Sequence, residues 1–561
     1  MATMPIMGSG RRGYGKVTIG YRRLREVTGG YIRHSTFDIR QFKRPMRVSR
    51  FTIAVLVALS MGMQVRSQNY LVVHMNDTTG PVISKHIYGH FSEHLGRCIY
   101  EGFWVGEGSA ISAKNGIRQD VVEALKEVKI PNLRWPGGCF ADTYHWKDGV
   151  GPQTERAKII NTHWGGVTED NSFGTHEFME LCEQLGTEAF ISGNMGSGSV
   201  EEMAQWVEYL TSANESPMTD WRKRNGREEP WKVAFWGLGN EPWGCGGNMN
   251  ATFYADEMRR YSTYSPDFSG NRMTRIACSS YGSDVSWTEV LMKDPLNRRM
   301  FQGLSIHLYT QVNGWGDKRS ATGFGEEDWF MLIRNSLRMK DAVEAHARVM
   351  DRYDPEKRIG LYVDEWGNWY DVEPETNPGF LYQQNSLRDA LTTAINLHIF
   401  QDYADRVKGA NLAQTVNVLQ ALILTDGARM VLTPTYYVFR MLRAHQDARR
   451  LTSQLISESY RYGNEQIPAL TASASRDSAG VVHLSVTNSN PNKSIPLKVD
   501  LVGQQVRGVT GRIVTADQVD AHNRFGEPER VTEKSFNGFK IKNQHLEVDI
   551  PSKSVIMLTI K

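Results

Sequence analysis

Cysteine is scarce in this chain: Cys98, Cys139, Cys182, Cys245 and Cys278 are its five copies in 561 residues. They form no CxxC pair and no Cys/His cluster at zinc spacing, which excludes a thiolate zinc site or a dithiol redox motif. An odd count gives no disulfide framework, so these residues read as buried thiols, one or two of them lining a site. A His-x-His or His-Glu-x-x-His array is also missing, and this disfavours a metal-dependent barrel hydrolase. The longest apolar stretch, Phe51–Met63, falls short of the roughly 20 residues that a spanning helix needs. Internal repeats and low-complexity tracts are absent. Net positive charge is confined to one end. Residues 1–50 carry twelve Lys/Arg against Glu26 and Asp38, so the whole chain's formal +3 leaves residues 51–561 at −7. An acidic body of this kind argues against nucleic acid as a partner, because phosphate binding uses clustered Lys/Arg.

What is present divides the chain into parts. Residues 1–45 are basic, without hydrophobic period, and read as a non-native or disordered extension. Residues 46–67 begin with Met46-Arg47-Val48-Ser49-Arg50, continue through the apolar stretch and end in small residues. This is a secretory pattern, with translation starting at Met46 and the mature chain near Gln68. An internal buried helix is the competing reading. The expectation is therefore an exported protein, periplasmic or secreted, with no membrane attachment after removal of the signal.

Residues 68–84 read as a strand that joins a later sandwich. Over 85–448, short apolar runs alternate with helical patterns such as Gln119–Lys129 and His176–Gly186. Eight runs qualify as strands: Ile87–Phe91, Asn132–Gly138, Ala189–Asn194, Val233–Gly239, Arg275–Ser279, Leu304–His307, Ile359–Glu365 and the stretch around Asn411–Gln414. Strands separated by helices imply parallel βαβ units, and eight of them predict an α/β fold closed as a (β/α)8 TIM barrel. Beyond residue 449 the alternation becomes apolar–polar with Asn/Gly/Pro turns, as in Val481–Thr487 and Val555–Ile560. This predicts a C-terminal antiparallel β-sandwich of jelly-roll type over 449–561.

Two strand ends stand out. Val233-Ala234-Phe235-Trp236 runs into Gly237-Leu238-Gly239-Asn240-Glu241-Pro242-Trp243, and Ile359–Val363 runs into Asp364-Glu365-Trp366-Gly367. Either Glu alone could be a solvated turn residue. Two carboxylates at the C-terminal ends of barrel strands, each flanked by Trp, are what glycoside hydrolysis requires.

On these blocks, together with Phe91–Arg97, Leu133–Gly138, His145–Pro152, Phe173–Phe178 and Ala413–Asn417, the chain resembles the family 51 glycoside hydrolases, the α-L-arabinofuranosidases. The blocks occur in the family's order across 70–561. The resemblance implies that Glu241 is the general acid/base and Glu365 the nucleophile, on the fourth and seventh barrel strands. It also implies that Tyr309 holds the nucleophile, that Asn240 contacts the sugar 2-hydroxyl, and that Glu93 and Gln414 bind the other hydroxyls. An ion pair of Glu93 with Arg97 at i,i+4 is the alternative for Glu93. His307 reads equally as a core histidine. Arg134 either orients the carboxylates or pairs with a barrel acid. Cys139 stands where the family has a small polar residue in sugar contact, and its thiol would be a weak donor. Trp164 and Trp369 match aromatic walls of the pocket.

The resemblance thus implies a retaining exo-glycosidase that removes terminal α-L-arabinofuranosyl units from arabinoxylan, arabinan and their oligosaccharides, with no cofactor and no metal. It also implies a homo-oligomer, often a hexamer in the family. Two further readings stay open: an endo-β-glycanase (cellulase or xylanase) of the same barrel clan, with an open groove in place of a pocket, and a sugar-binding barrel that has lost its chemistry.

Overall fold

The computed structural model describes residues 69–561 apart from positions 504, 543 and 544. The extension and signal segment expected over 1–67 lie outside the described residues. Strand β1 (Asn69–His74) comes first, followed by eight strands of a closed barrel: β2 (Gly89–Phe91), β3 (Asn132–Trp135), β4 (Glu188–Gly193), β5 (Val233–Leu238), β6 (Thr274–Tyr281), β7 (Gly303–Thr310), β8 (Gly360–Asn368) and β9 (Val407–Leu412). All eight neighbouring pairs are parallel, and β9 closes on β2 through Asn411 opposite Gly89 and Leu412 opposite His90. This is the (β/α)8 barrel that the alternating pattern predicts.

Local chemistry explains the connecting helices. Gln119–Val128 buries Val121, Val122, Leu125 and Val128 on one stripe. Thr175–Leu185 stops at Gly186, whose φ of 69° supplies the left-handed residue that caps a helix C-terminus. Inside the barrel, Phe190, Phe235, Ile276 and Tyr362 form an apolar floor. Tyr362 fits because Gly409 faces it: a Cβ there would sit 2.4 Å from the ring. Above that floor the interior turns polar.

The C-terminal region contains two sheets. Five strands run in the order β11 (Ser453–Ile456), β1, β14 (Ile495–Val502), β18 (His545–Ile550) and β17 (Phe539–Lys542). Six run in the order β10 (Arg449–Arg450), β12 (Leu470–Arg476), β13 (Val482–Asn488), β19 (Ser554–Ile560), β15 (Val509–Thr515) and β16 (Glu533–Phe536). Pairing is antiparallel except that β1 lies parallel to β14.

A buried polar seam fastens this region to the barrel. His398, on the helix Leu387–Asp402, meets Thr471 at 2.9 Å through Nδ1 and Ser485 at 2.8 Å through Nε2. His445 reaches Ser475 at 2.7 Å and the same Ser485 hydroxyl at 2.9 Å. The Ser485 hydroxyl also reaches the Ser473 carbonyl at 3.4 Å, so one side chain ties both imidazoles to the sheet. Burial lowers His398 to about 3, and burial with the neighbouring His483 and His398 holds His445 well below its usual value.

The folded pKa of His398 lies below its unfolded value of 6.5. Its contribution to stability is therefore complete above pH 6.5 and is lost as pH falls toward 3. His398→Phe removes one buried partner each from Thr471 and Ser485, and should cost about 1–3 kcal/mol at pH 8. In denaturant unfolding, that deficit should shrink below pH 6.5 by up to about 1.4 kcal/mol per pH unit. A deficit independent of pH would show that His398 is not held neutral.

Candidate active site

Glu365 owes its position to an extra residue in β8. Ser305 and His307 of β7 stand opposite Tyr362 and Glu365, two steps against three. On the other edge Val363 and Trp366 stand opposite Ala410 and Leu412, again three against two. Strict alternation would send Asp364 and Glu365 to opposite faces of the strand. The bulge instead turns both into the barrel, where Arg134 touches each of them.

Arg134, 1 % exposed, distributes its guanidinium over four partners. Nη1 donates to Glu365 Oε2 at 3.0 Å and to the Asp364 carbonyl at 3.1 Å, Nη2 to Asn240 Oδ1 at 2.6 Å, and Nε to Ser192 Oγ at 3.1 Å. Its face lies 4.5 Å from the Phe91 ring centroid. The other oxygen of Glu365 accepts from the Tyr309 hydroxyl at 2.6 Å. Burial, the charge of Glu365 and this hydrogen bond raise the Tyr309 pKa far above its usual value, so the phenol remains a donor.

Glu241 follows β5 in a left-handed conformation, φ 41°, after Gly239 at φ 85°. A non-glycine residue there costs about 1–3 kcal/mol and persists only where its surroundings over-determine it. Here they do. Asp142 accepts from the Asn240 N–H at 2.9 Å and from the N–H groups of Met195 and Gly196 at 2.8 Å each. The Glu241 carbonyl in turn accepts from Gly244 at 2.8 Å and Gly246 at 3.1 Å.

The two carboxylates share one neighbour. His307 Nδ1 lies 2.8 Å from Glu241 Oε1 and 3.4 Å from Glu365 Oε2, while Nε2 lies 3.3 Å from Asp364. Burial opposes charge on this imidazole, but Glu365, Asp364 and Glu241 outweigh it and raise its pKa to about 10. One oxygen of Glu241, one of Glu365 and a ring nitrogen of His307 lie within 4.8 Å of one another. That set could ligate a metal, yet the imidazolium and Arg134 already supply the positive charge it would bring. Burial and the charge of Glu365 raise the Glu241 pKa, although His307 pulls the other way.

At the base of the pocket, Glu93 accepts from the Trp164 indole at 2.8 Å, the Phe140 N–H at 3.1 Å and the Gln414 amide at 2.8 Å. Burial, with repulsion from Glu365, pushes Glu93 up to about 7. The alternative ion pair is not formed: Arg97 stands 3.7 Å from Glu101. Gln414 Oε1 is buried without a protein partner. Trp369 meets the Tyr309 ring edge-on at 4.8 Å. The cavity these groups line measures about 350 Å³.

Each residue picked from the sequence thus lies in one cluster, with one correction of chemistry. Cys139 has no thiol to offer, because it is disulfide-bonded to Cys245, with Cα atoms 5.4 Å apart. The bond ties the loop after β3 to the loop that carries Glu241. The two cysteines are 106 positions apart, and only the closed barrel brings them together. Cys98, Cys182 and Cys278 are buried thiols, as expected. Sequence reading also missed Asp142, Asp364, Tyr281 and Trp315. Asp364 adjoins Glu365, which was a usable signal, whereas Asp142 lies in the short 3-10 helix Cys139–Thr143 and Trp315 in a loop, where nothing in the local pattern distinguishes them.

A closed parallel barrel with paired carboxylates in an aromatic pocket at its C-terminal end defines a glycoside hydrolase. Comparison with known proteins narrows this. Family models for the α-L-arabinofuranosidase 1 domain and the α-L-arabinofuranosidase C-terminal domain match residues 124–321 and 364–554. An intracellular exo-α-L-arabinofuranosidase of Bacteroides ovatus is 46% identical over 92% of this chain and 100% of its own length. The crystal structure of the family 51 arabinofuranosidase from Xanthomonas axonopodis pv. citri superposes with a TM-score of 0.87 at 45% identity, covering 88% of this chain and 100% of that one. That of the Thermotoga maritima α-L-arabinofuranosidase, an arabinose complex, gives 0.78 at 30% identity, covering 88% and 99%. The chain belongs to the family 51 α-L-arabinofuranosidases. It is an arabinofuranosidase.

The same comparison overturns the expectation of export. The Bacteroides ovatus relative, matched along its full length, is named an intracellular enzyme. A basic segment before a dozen apolar residues is a short pattern that a chain can carry without being exported, and periplasmic or secreted placement is withdrawn.

Gly138 passes so close to Glu365 that a Cβ would lie 3.1 Å from Oε2 and 3.3 Å from the Phe91 ring. Gly138→Ala should lower kcat about 10- to 100-fold by displacing that carboxylate, with the thermal midpoint little changed. Wild-type kcat in this variant would show that the approach has no consequence.

Proposed function

We propose that the protein removes terminal α-L-arabinofuranosyl units by double displacement. Glu365 attacks the anomeric carbon while Glu241 gives its proton to the departing glycosidic oxygen. The C–O bond to the leaving group breaks as a glycosyl–Glu365 ester forms. Glu241, now a carboxylate, takes a proton from water as that water attacks the same carbon; the bond from that carbon to Glu365 breaks, Glu365 leaves as a carboxylate, and arabinose departs with retained configuration.

The observation that carries this reading is the unequal environment of the two carboxylates. Both oxygens of Glu365 face donors, Tyr309 at 2.6 Å and Arg134 at 3.0 Å. Glu241 is biased by burial toward its protonated form. Oxygens of the two groups within 4.8 Å also suit a retaining geometry, in which no water stands between them.

Asn240 has its amide oxygen committed to Arg134, so its NH₂ is available to the sugar 2-hydroxyl. Gln414 Oε1 and Glu93 are suited to the remaining hydroxyls, and Trp164 and Trp369 wall the ring. The Trp164–Glu93–Gln414 chain of hydrogen bonds closes the base of the pocket, which favours a chain end over an internal bond. The substrates are arabinoxylan, arabinan and their oligosaccharides, and a homo-oligomer is part of the same reading.

Wild-type protein should hydrolyse 4-nitrophenyl α-L-arabinofuranoside, and Glu365→Ala should lose about 10⁴-fold or more of kcat. Azide should rescue that variant and give the inverted β-arabinofuranosyl azide; an α-azide would assign Glu365 the other role. His307 lowers the Glu241 pKa, so His307→Asn should raise it and shift the alkaline limb of kcat/KM upward by about one to two pH units. A limb that stays in place would remove His307 from the acid's environment.

A further inference from the structure

Tyr281 separates two cavities. On one side it lines the catalytic pocket, its ring centroid 6.2 Å from those of Trp243 and Trp315. On the other it lines a second cavity, of about 210 Å³, between the turn after β6 and the start of the helix Arg338–Tyr353. The Tyr281 hydroxyl accepts from the Tyr309 N–H at 3.1 Å and donates to the Tyr309 carbonyl at 3.2 Å, so the ring is a fixed partition. Both spaces open on the C-terminal face of the barrel, where substrates of this architecture bind.

The walls of the second cavity differ in chemistry from those of the first. Ser283, Asp284, Arg338 and Asp341 line it, and all four are exposed. Among the described residues, neither Arg338 nor Asp341 has an ion-pair or side-chain hydrogen-bond partner, although both open onto the same small space. Asp284 commits one oxygen to the Ser286 N–H at 2.9 Å and keeps the other. Two carboxylates and a guanidinium around a hydroxyl provide acceptors and donors without net preference for an ionic ligand. Vicinal diols of a neutral sugar match that set, each hydroxyl both giving and taking a hydrogen bond. The aromatic side, with Trp315 49% exposed, offers a stacking surface for the sugar unit next to the cleaved bond.

We infer that the groove of Ser283, Asp284, Arg338 and Asp341 binds the leaving-group glycan beyond its first unit, a neutral pentose chain that crosses Tyr281 on leaving the catalytic pocket. This rests on the exo-acting reading, in which everything past the terminal arabinose is leaving group. The groove then gives the enzyme a preference for oligosaccharides over single-unit glycosides.

The test compares 4-nitrophenyl α-L-arabinofuranoside with a linear arabino-oligosaccharide of several units. Arg338→Ala/Asp341→Ala should raise KM for the oligosaccharide about tenfold with kcat little changed, and leave both constants for the aryl glycoside as in wild type. Ser283→Trp, which fills the groove from its exposed rim, should reproduce that pattern even if the double variant folds poorly. Unchanged KM for the oligosaccharide in both folded variants would overturn the groove, as would equal losses on both substrates. Product analysis keeps the underlying reading separate. Release of single arabinose units by wild type tests exo action, whereas dependence of KM on leaving-group length tests the groove.

Discussion

One buried guanidinium organises the centre of this barrel. Ion pairs out of water persist only where geometry and additional hydrogen bonds offset desolvation, and loss of one partner leaves a bare charge that costs about 3–5 kcal/mol. Arg134 meets that condition with two carboxylate neighbours, a carbonyl, an amide and a hydroxyl drawn from three different strands or their loops. The neighbouring carboxylates obey the same constraint. Asp364, which burial alone would protonate, is brought below its usual range by Arg134 and His307. Cations and anions therefore alternate through the upper barrel, and none can be moved without exposing another.

From this constraint the differences among the buried acids follow. Glu365 and Asp364 sit within reach of Arg134 or His307. Glu93 and Asp142 are buried among neutral donors, and both are pushed up to about 7. A carboxyl poised there suits two tasks. Glu93 holds Trp164, Phe140 and Gln414 together at the base of the pocket, and Asp142 anchors three backbone N–H groups, that of Asn240 among them. The strained φ of Glu241 is tolerated because that anchor, the Gly244 and Gly246 hydrogen bonds and the Cys139–Cys245 bond all act on the same short loop.

The outer parts serve the same centre at a distance. The helix Leu387–Asp402 is buried on nearly every face because it is held between barrel and sheets, and its His398 shares Ser485 with His445 across that seam. A polar seam of satisfied hydrogen bonds specifies one docking orientation, which an apolar contact of equal area would define less sharply. β1, the first described strand, pairs with two strands from the far end of the sequence.

Much of this was legible in residue order. Eight apolar runs separated by helical periods dictate the barrel, since parallel strands need crossovers and burial on both faces. The strand-end glutamates at 241 and 365, with their Trp and Gly flanks, mark the chemistry because few other reasons exist to end two core strands that way. Tertiary structure decided the rest. The bulge that turns Asp364 and Glu365 to the same side arises from the mismatch of β8 with both neighbours, and no single strand encodes it. The partner of Cys139 depends on loop closure across 106 positions. His307 reads equally as a core residue or a site residue in the sequence. Its charge exists only where three carboxylates from one strand and a loop converge, because electrostatics depends on distance in space and not on separation along the chain.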